Sequence, residues 1–425
     1  MNNGRPNGTA PASTLRLAYI IGTYPGLTTT FIDREIQMLR RWGVDLQVLA
    51  IRRPPAVAPL SAEQRELQRG VIYLLPIAWG ALLASHLYFA ARHPLRFFAT
   101  LVYLLTRPHL DLKTRAMTGL HFGEGVYAAY LLRRRDVREL HAHFVDRAAT
   151  VALVAGRLLG KPYSISIHAG ADIFVKPVLL REKVLRARHV ATCTRYNKAQ
   201  VEAIVGRDVG HKISHIHHGI DLAKYQPAPH PPDGRPLILS VGQLAARKGF
   251  AQLIRACRLL KDRGYDFTCQ IVGQGPQRPE LERLIGELGL GETVILCGAL
   301  AHEAVIECYR QATLFVLACL MTADGDRDGF PNVLAEAMAM RVPVISTAIS
   351  AIPELLDDGV NGLLVPSENV IALADAIARL LDSPTLRAEL GSAGRRTIFD
   401  RFDVERNVRR FAATLWPDCF PESHL

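Results

Sequence analysis

Ten residues near the middle of the chain, QPAPHPPDGR (226–235), hold four prolines and a glycine. Such a stretch forms neither a helix nor an internal strand, so it splits the sequence into two halves. Each half then repeats one pattern. Leu15–Ile21 (LRLAYII) reads as an apolar strand, GTYPGLTTT as a turn, 29–42 as an amphipathic helix, and Leu46–Ile51 as the next strand. LHAHF, YSISIHA, ATCT and ISHIHH continue the series. After the break, LILSVG, CQIVGQG, VILCG, LFVLA and PVIST alternate with helices expected over 250–263, 278–288 and 370–381. Strands alternating with helices predict parallel sheets covered on both faces, with ligands bound at the carboxyl ends of the strands. The expected fold class is therefore α/β, as two doubly wound domains facing a cleft. The expected bounds are a disordered tail at 1–14, a first domain at 15–225, the linker at 226–235, a second domain at 236–395, and a closing segment at 396–425. The helix expected over 403–415 lies beyond the second sheet and is expected to pack back on the first domain.

Charge separates the halves. Residues 1–232 carry 31 Lys+Arg against 15 Asp+Glu, a net of +16, and the remainder 20 against 25, a net of −5. A basic first half points to an anionic surface or substrate. Nucleic acid is the rival partner, but no zinc-finger, RRM-like or basic-zipper pattern is present, so none is expected. Seven scattered cysteines without a C-x-x-C pair fit a reducing compartment rather than a disulfide framework or zinc ribbon. The first fourteen residues lack the basic-then-apolar order of a secretory signal. Val71–Ala90 is long and apolar enough to raise the question of a membrane span, yet Pro76, Gly80, Ser85 and His86 interrupt it. The expectation is two buried or surface helices over 71–105, with contact on one leaflet of an anionic bilayer helped by Arg52–Arg53 and Arg133–Arg135.

The chemistry gathers in the second half. LFVLA leads into an acidic loop and then a helix beginning at about Asn332, in DGDRDGFPNVLAEAMAM (324–340). A helix start offers unpaired N–H groups and a positive dipole end, which hold anions. Asp328 and Glu336 flank that start, and carboxylates bind sugar hydroxyls rather than phosphate, so the pattern reads as a sugar-nucleotide site. An EF-hand loop is the competing interpretation of DGDRDG. It needs a Glu six residues after its glycine, where this chain has Ala335. Gly242, ending LILSVG, lets backbone approach a ligand, and Arg247 and Lys248 follow where cations reach a diphosphate. A solvated basic turn is the plain alternative. His168 ends SISIHA at a strand's carboxyl end, where it would hydrogen-bond a sugar hydroxyl or a leaving phosphate. A structural histidine is the alternative there too. His141 and His143 alternate on one strand; H-x-H spacing permits a metal, but no third ligand is evident in the sequence.

Together, FPNVLAEAMAMRVPVISTAISAIPELLDDGVNGLLVP, VGQLAARKG, IVGQGPQRPEL, IHHGIDLAKYQP and HAGADIF resemble the family-4 retaining glycosyltransferases of GT-B fold. The similarity runs from about Leu15 to Phe411. PGLTTTFIDREIQMLRRWGVDLQVLAIRRP and HAHF…HAGADIF resemble the colanic-acid and exopolysaccharide branch. The resemblance implies two Rossmann-like domains, with the donor in the C-terminal one and the acceptor in the N-terminal one. It implies that Asp328 contacts the transferred sugar, Glu336 the ribose and Lys248 the diphosphate. It also implies that His168 lies near the reacting bond and that the amides of Phe330, Asn332, Val333 and Leu334 cradle phosphate. Catalytic roles then fall to His168, Lys248 and Asp328, and substrate binding to Gly242, Arg247, Lys248, Phe330, Asn332, Val333, Leu334 and Glu336. Two departures stand out: Asp328 replaces a more usual glutamate, and Gln243 stands where the family often has arginine, with Arg247 near enough in sequence to compensate.

The expected function is retaining transfer of a sugar from a nucleotide-diphosphate donor to a lipid-linked or polysaccharide acceptor, without metal or other cofactor. It would take place in the cytoplasm, peripherally on the inner face of the plasma membrane. An epimerase or hydrolase on the same fold, or a non-catalytic nucleotide-sugar-binding partner, are the alternatives.

Overall fold

The computed structural model describes residues 15–168, 171–228 and 234–421. The tail expected at 1–14 lies outside these residues, as do 229–233 of the linker.

Two parallel sheets form the frame. The first contains β1 (Arg16–Thr23), β2 (Asp45–Arg52), β3 (Val71–Tyr73), β4 (Glu139–His143), β5 (Tyr163–Ile167), β6 (Val190–Thr192) and β7 (Ile213–His215), in the order β3-β2-β1-β4-β5-β6-β7. The second contains β8 (Leu237–Val241), β9 (Thr268–Val272), β10 (Val294–Gly298), β11 (Leu314–Leu317), β12 (Val344–Thr347) and β13 (Leu363–Val365), in the order β10-β9-β8-β11-β12-β13. Both orders reverse once, between β1 and β4 and between β8 and β11. In open α/β sheets ligands bind at such reversals, beyond the carboxyl ends.

The strands are apolar almost throughout because both faces are covered. On β1, Ala18 and Ile20 pack with the helix Arg147–Leu159. Leu17, Tyr19 and Ile21 point the other way, onto the helices Thr30–Arg41 and Val404–Leu415. Thr30–Arg41 buries Phe31, Ile32, Ile36 and Leu39, the spacing of a single helical face. Val404–Leu415 follows the second sheet in sequence yet buries Val404, Val408, Phe411 and Leu415 in the core of the first.

The apolar run at 71–105 becomes β3, a helix Trp79–Arg92 and a helix Pro94–Thr106. No helix among the described residues is long and apolar enough to cross a membrane. Short β3 lay inside the apolar run at 71–90, and β13, at three residues, is too short to show a strand period of its own.

The chain crosses between the lobes near Gly219–Ile220 and returns near Phe402–Val404. The crossings are stitched together: Ile220 N–H donates to Phe402 O at 2.7 Å, and Val404 N–H to Ile220 O at 3.2 Å. Gly219 has no side chain because a Cβ there would lie 2.4 Å from Val404 Cα.

Candidate active site

A cleft of about 620 Å³ lies between the lobes, lined from one side by the 23–31 turn, Phe144, His168 and His218, and from the other by Gly242, Lys248, Asp328, Asn332 and Glu336. It opens at the carboxyl ends of β8 and β11 on one side and of β4 and β5 on the other, as the two strand-order reversals require.

On the C-terminal wall, β8 ends at Val241, Gly242 follows it, and the chain makes a single turn through Ala246–Lys248. Gly249 follows at φ 66°, where a Cβ would sit 1.7 Å from Ala318 O. Only glycine fits there, and the tight fit sets Lys248 beside the loop after β11. Lys248 Nζ lies 2.7 Å from Asp328 Oδ2. Arg247 Nε lies 3.3 Å from Asp328 Oδ1, and its terminal nitrogens reach Asp326 at 3.2 Å and Gln243 Oε1 at 3.0 Å. Arg247 thus stands against Gln243, the position where the resemblance expects an arginine. Burial pushes the Asp328 carboxyl up, but Lys248 and Arg247 outweigh it and hold the group below its usual range. With Asp326 counted, two cations face two acids and the cluster is formally neutral.

The helix Asn332–Ala339 begins directly after Pro331. Among the described residues, the amides of Phe330, Asn332 and Val333 meet no backbone or side-chain acceptor. The Leu334 amide donates to Pro331 O at 3.0 Å. Of the four amides expected to hold phosphate, three are therefore open and Leu334 is taken by the turn that starts the helix.

Glu336 sits at the back of the cleft with both oxygens engaged. Oε1 accepts from Arg34 at 2.8 Å and Oε2 from the Tyr309 hydroxyl at 3.3 Å. Arg34, buried on the helix Thr30–Arg41, also donates to Gly219 O at 2.9 Å and the Tyr225 hydroxyl at 2.7 Å. A ribose hydroxyl can reach Glu336 only by sharing or displacing these donors. Arg34 gave no signal in the sequence, being one of many basic residues in the first half.

On the N-terminal wall His168 lines the cleft, as expected, and its ring is bonded to two others. Its Nε2 lies 3.1 Å from His143 Nδ1 and its Nδ1 2.9 Å from His218 Nε2. Neither nitrogen is free for a sugar hydroxyl. His218 Nδ1 in turn lies 3.1 Å from Asn332 Oδ1, at the start of the opposite wall's helix. Burial and the adjoining imidazoles keep His168 well below its ordinary pKa, and burial brings His218 to about 4 and His217 to about 3. His141 is pinned by Ser164 and Ser166, each at 2.9 Å. His168, Cys193 and His218 converge, as do Glu35, His141 and His143, so Glu35 is the third group the H-x-H spacing lacked. Most of these ring nitrogens are bonded to one another or to serines, while His143 Nε2, 3.3 Å from Glu35 Oε1, is buried without a hydrogen bond.

Residues 223–397 match the family model described as glycosyl transferases group 1. The chain is 30% identical over 283 residues to alpha-D-kanosaminyltransferase of Streptomyces kanamyceticus, covering 61% of this chain and 72% of that protein. It is 38% identical over 168 residues to WcaL of Escherichia coli K12, whose name assigns it to colanic acid biosynthesis, but spans only 41% of that protein. It is 35% identical over 178 residues to the amylovoran biosynthesis glycosyltransferase AmsK of Erwinia amylovora, spanning 44% of it. Its fold superposes on HepE of Anabaena, solved with UDP, with a TM-score of 0.69 at 16% identity, over 94% of this chain and 99% of that one. It also superposes on sucrose-phosphate synthase of Thermosynechococcus elongatus, with a TM-score of 0.70 at 19% identity, over 96% and 99%. On this sequence similarity the chain belongs to the group 1 glycosyltransferases, built on the GT-B fold.

Proposed function

We propose that this glycosyltransferase moves a sugar from a nucleotide-diphosphate donor to a lipid-linked or polysaccharide acceptor in exopolysaccharide synthesis, with retention and without a metal. The observation that carries this reading is Lys248, held 2.7 Å from Asp328 beside the open amides of Phe330, Asn332 and Val333. When a diphosphate enters, Lys248 and Arg247 have an anion to turn toward, and Asp328 is released to accept sugar hydroxyls. Negative charge then develops on the departing phosphate where a lysine, an arginine and a helix start already point. These groups supply the positive charge, so the reading assigns no separate cofactor. Domain closure would exclude water from the donor.

The donor class draws support from HepE, solved with UDP-glucose, and from the GDP-mannose-dependent phosphatidylinositol monomannoside mannosyltransferase of Mycolicibacterium smegmatis, 29% identical over 83% of that protein. The acceptor class draws support from the names of WcaL and AmsK. The test is a thermal-shift screen with UDP-, GDP- and ADP-sugars, followed by product analysis with lipid-linked oligosaccharide. A ligand at about 100 times its dissociation constant stabilises by roughly 2.7 kcal/mol. Absence of any shift across the panel sinks the donor assignment, and sugar release without transfer favours a hydrolase.

The acceptor's lipid suits one face of the first lobe. Trp79, Leu83 and Leu87 form an exposed stripe on one helix, with Trp79 84% exposed. Leu95, Phe98 and Val102 form another on the next helix, with Leu95 86% exposed. Arg133 packs on Tyr88 of the first of these helices, and Arg134 and Arg135 beside it are exposed. Apolar stripes beside basic side chains fit an anionic leaflet, and we place this face on the inner surface of the plasma membrane. Binding to phosphatidylglycerol vesicles but not to phosphatidylcholine vesicles is the expected result.

A further inference from the structure

The acidic loop that joins β11 to the helix Asn332–Ala339 is held from two sides. Its tip is folded by its own groups. Thr322 N–H donates to Asp326 O at 3.0 Å, Gly325 N–H to Thr322 O at 2.8 Å, and the Thr322 hydroxyl to Asp326 O at 3.0 Å. Residues 326–328 then form neither helix nor turn, and their side chains alternate in direction. Asp326 and Asp328 face cations of their own lobe, 3.2 Å from Arg247 and 2.7 Å from Lys248. Arg327, between them, reaches the other lobe.

The Arg327 guanidinium lies in an aromatic notch of the first lobe. Its Cζ is 4.0 Å from the centre of the Phe174 ring and 5.6 Å from that of Tyr196. Nη2 donates to Gln200 Oε1 at 3.3 Å, and Nη1 to Gly325 O at 3.2 Å. Phe174 ends a short helix, Ala171–Phe174, beyond β5, and Tyr196 and Gln200 stand on the helix Arg195–Val205 beyond β6. A planar guanidinium stacks on such rings and still donates from its edge, which an ammonium does not do. A second contact grips the same helix. Glu354, on the second lobe, accepts from Arg195 N–H at 2.9 Å and from Tyr196 N–H at 2.7 Å, a carboxylate at a helix start.

We propose that Arg327 is a positioning residue for glycosyl transfer: it clasps the acidic loop to the first lobe and so holds Asp328 in place against the transferred sugar. The proposal rests on the transfer reading above. In that reading the diphosphate draws Lys248 and Arg247 away from Asp328. The carboxyl then loses both ion pairs that tie it to its own lobe, and among the described residues the Cys319 thiol, 3.3 Å from Oδ2, is the side chain left bonded to it. The clasp survives this exchange, because Arg327 pairs with neither acid and its partners lie on the far side of the loop. Asp328 is first held through its own side chain, and afterwards through its neighbour's. The notch stands beside the end of β5, where His168 enters the cleft, so the clasp also sets the spacing between Asp328 and the opposite wall. Arg327 meets no reacting atom and acts through Asp328.

The test compares the full chain with Arg327→Met, Arg327→Lys, a Phe174→Leu/Tyr196→Leu double variant, and the triple variant carrying Arg327→Met. UDP-glucose or GDP-mannose, whichever is turned over, serves as donor. Arg327→Met keeps the length of the stem without its charge and fork. It is expected to lower kcat by about 10²-fold, the scale of a displacement of about 1 Å at a reacting centre, with the donor KM unchanged. The double variant should show the same split, and the triple variant should be no slower than either, because all of them break one contact. Arg327→Lys should recover part of the rate. Hydrogen exchange supplies a readout apart from turnover: with donor bound, the amides of 320–330 should exchange faster in Arg327→Met than in the unmodified protein. An undiminished kcat in Arg327→Met, losses that add in the triple variant, a loss confined to donor KM, or unchanged loop exchange would each overturn the clasp. If the unmodified protein consumes no nucleotide sugar, the transfer reading fails, and loop exchange without donor still shows whether Arg327 ties the loop down.

Discussion

Lys248, Arg247 and Asp328 give the C-terminal wall of the cleft three formal charges in mutual contact. Across the gap, His168 and His218 present two uncharged rings bonded to each other. The C-terminal wall suits a charged ligand, because its cations can trade an internal acid for a phosphate. The N-terminal wall keeps its rings uncharged and bonded to one another, so it sets up no field that would compete for the diphosphate. The overall charge runs the other way, +16 in the first half and −5 in the second. Net charge therefore describes the outer surface, where the basic side chains lie, and misdescribes the cleft.

The contrast can be tested most severely where the walls are joined. Arg34→Ala leaves Glu336 buried without its cation, and breaking such a pair costs about 3–5 kcal/mol. Denaturant unfolding should show that loss; an unchanged midpoint would mean the lobes are held by other contacts. Next in size, Lys248→Ala is expected to lower kcat/KM for the donor by about 10²–10³-fold, the usual scale for one preorganised charge. Its effect should fall chiefly on kcat, because the charge it meets develops as the phosphate departs. A loss confined to donor KM would mean that Lys248 only holds the diphosphate and does not meet the developing charge.

A smaller effect concerns pH. His141, His168, His217 and His218 bind protons less readily folded than unfolded, so the unfolded chain takes up more protons below about pH 6.5. Stability from these groups is present above that pH and lost as pH falls toward their folded values. Asp33, raised by burial to about 6, and Asp146 and Glu139, also raised by burial, work in the opposite direction. With His189, His215 and His302 lowered as well, the histidines outnumber these acids, so Tm should fall by a few degrees from pH 7 to pH 5, and a flat profile would show that the rings are charged when folded. Smallest of all, Leu83→Ser with Leu87→Ser should weaken binding to phosphatidylglycerol vesicles without changing donor affinity, since those side chains lie far from the charged wall.

The frame was legible because parallel strands covered on both faces are apolar runs, and LRLAYII, LQVLAI, LILSVG and LFVLA stand out from any background. Lys248, Asp328 and Asn332 were legible because turn, loop and helix start are local, and local spacing survives in one dimension. Arg34 and Glu35 were not. They sit mid-helix among other charged residues, and their partners lie far away in sequence at Glu336 and His143. His168 was found, but its bonding to rings on two other segments was invisible in the sequence. The Leu334 amide shows the same limit at short range: the helix start was placed correctly, but which amides stay open depends on how the first turn closes.

The paired crossings at Ile220 and Val404 act as a hinge with two leaves. One strand of polypeptide would let the lobes swivel about its own axis, whereas two strands stitched side by side resist that rotation and leave bending across the pair as the easy motion. The mouth should therefore open and shut along one arc, bringing the same residues back into register at each cycle.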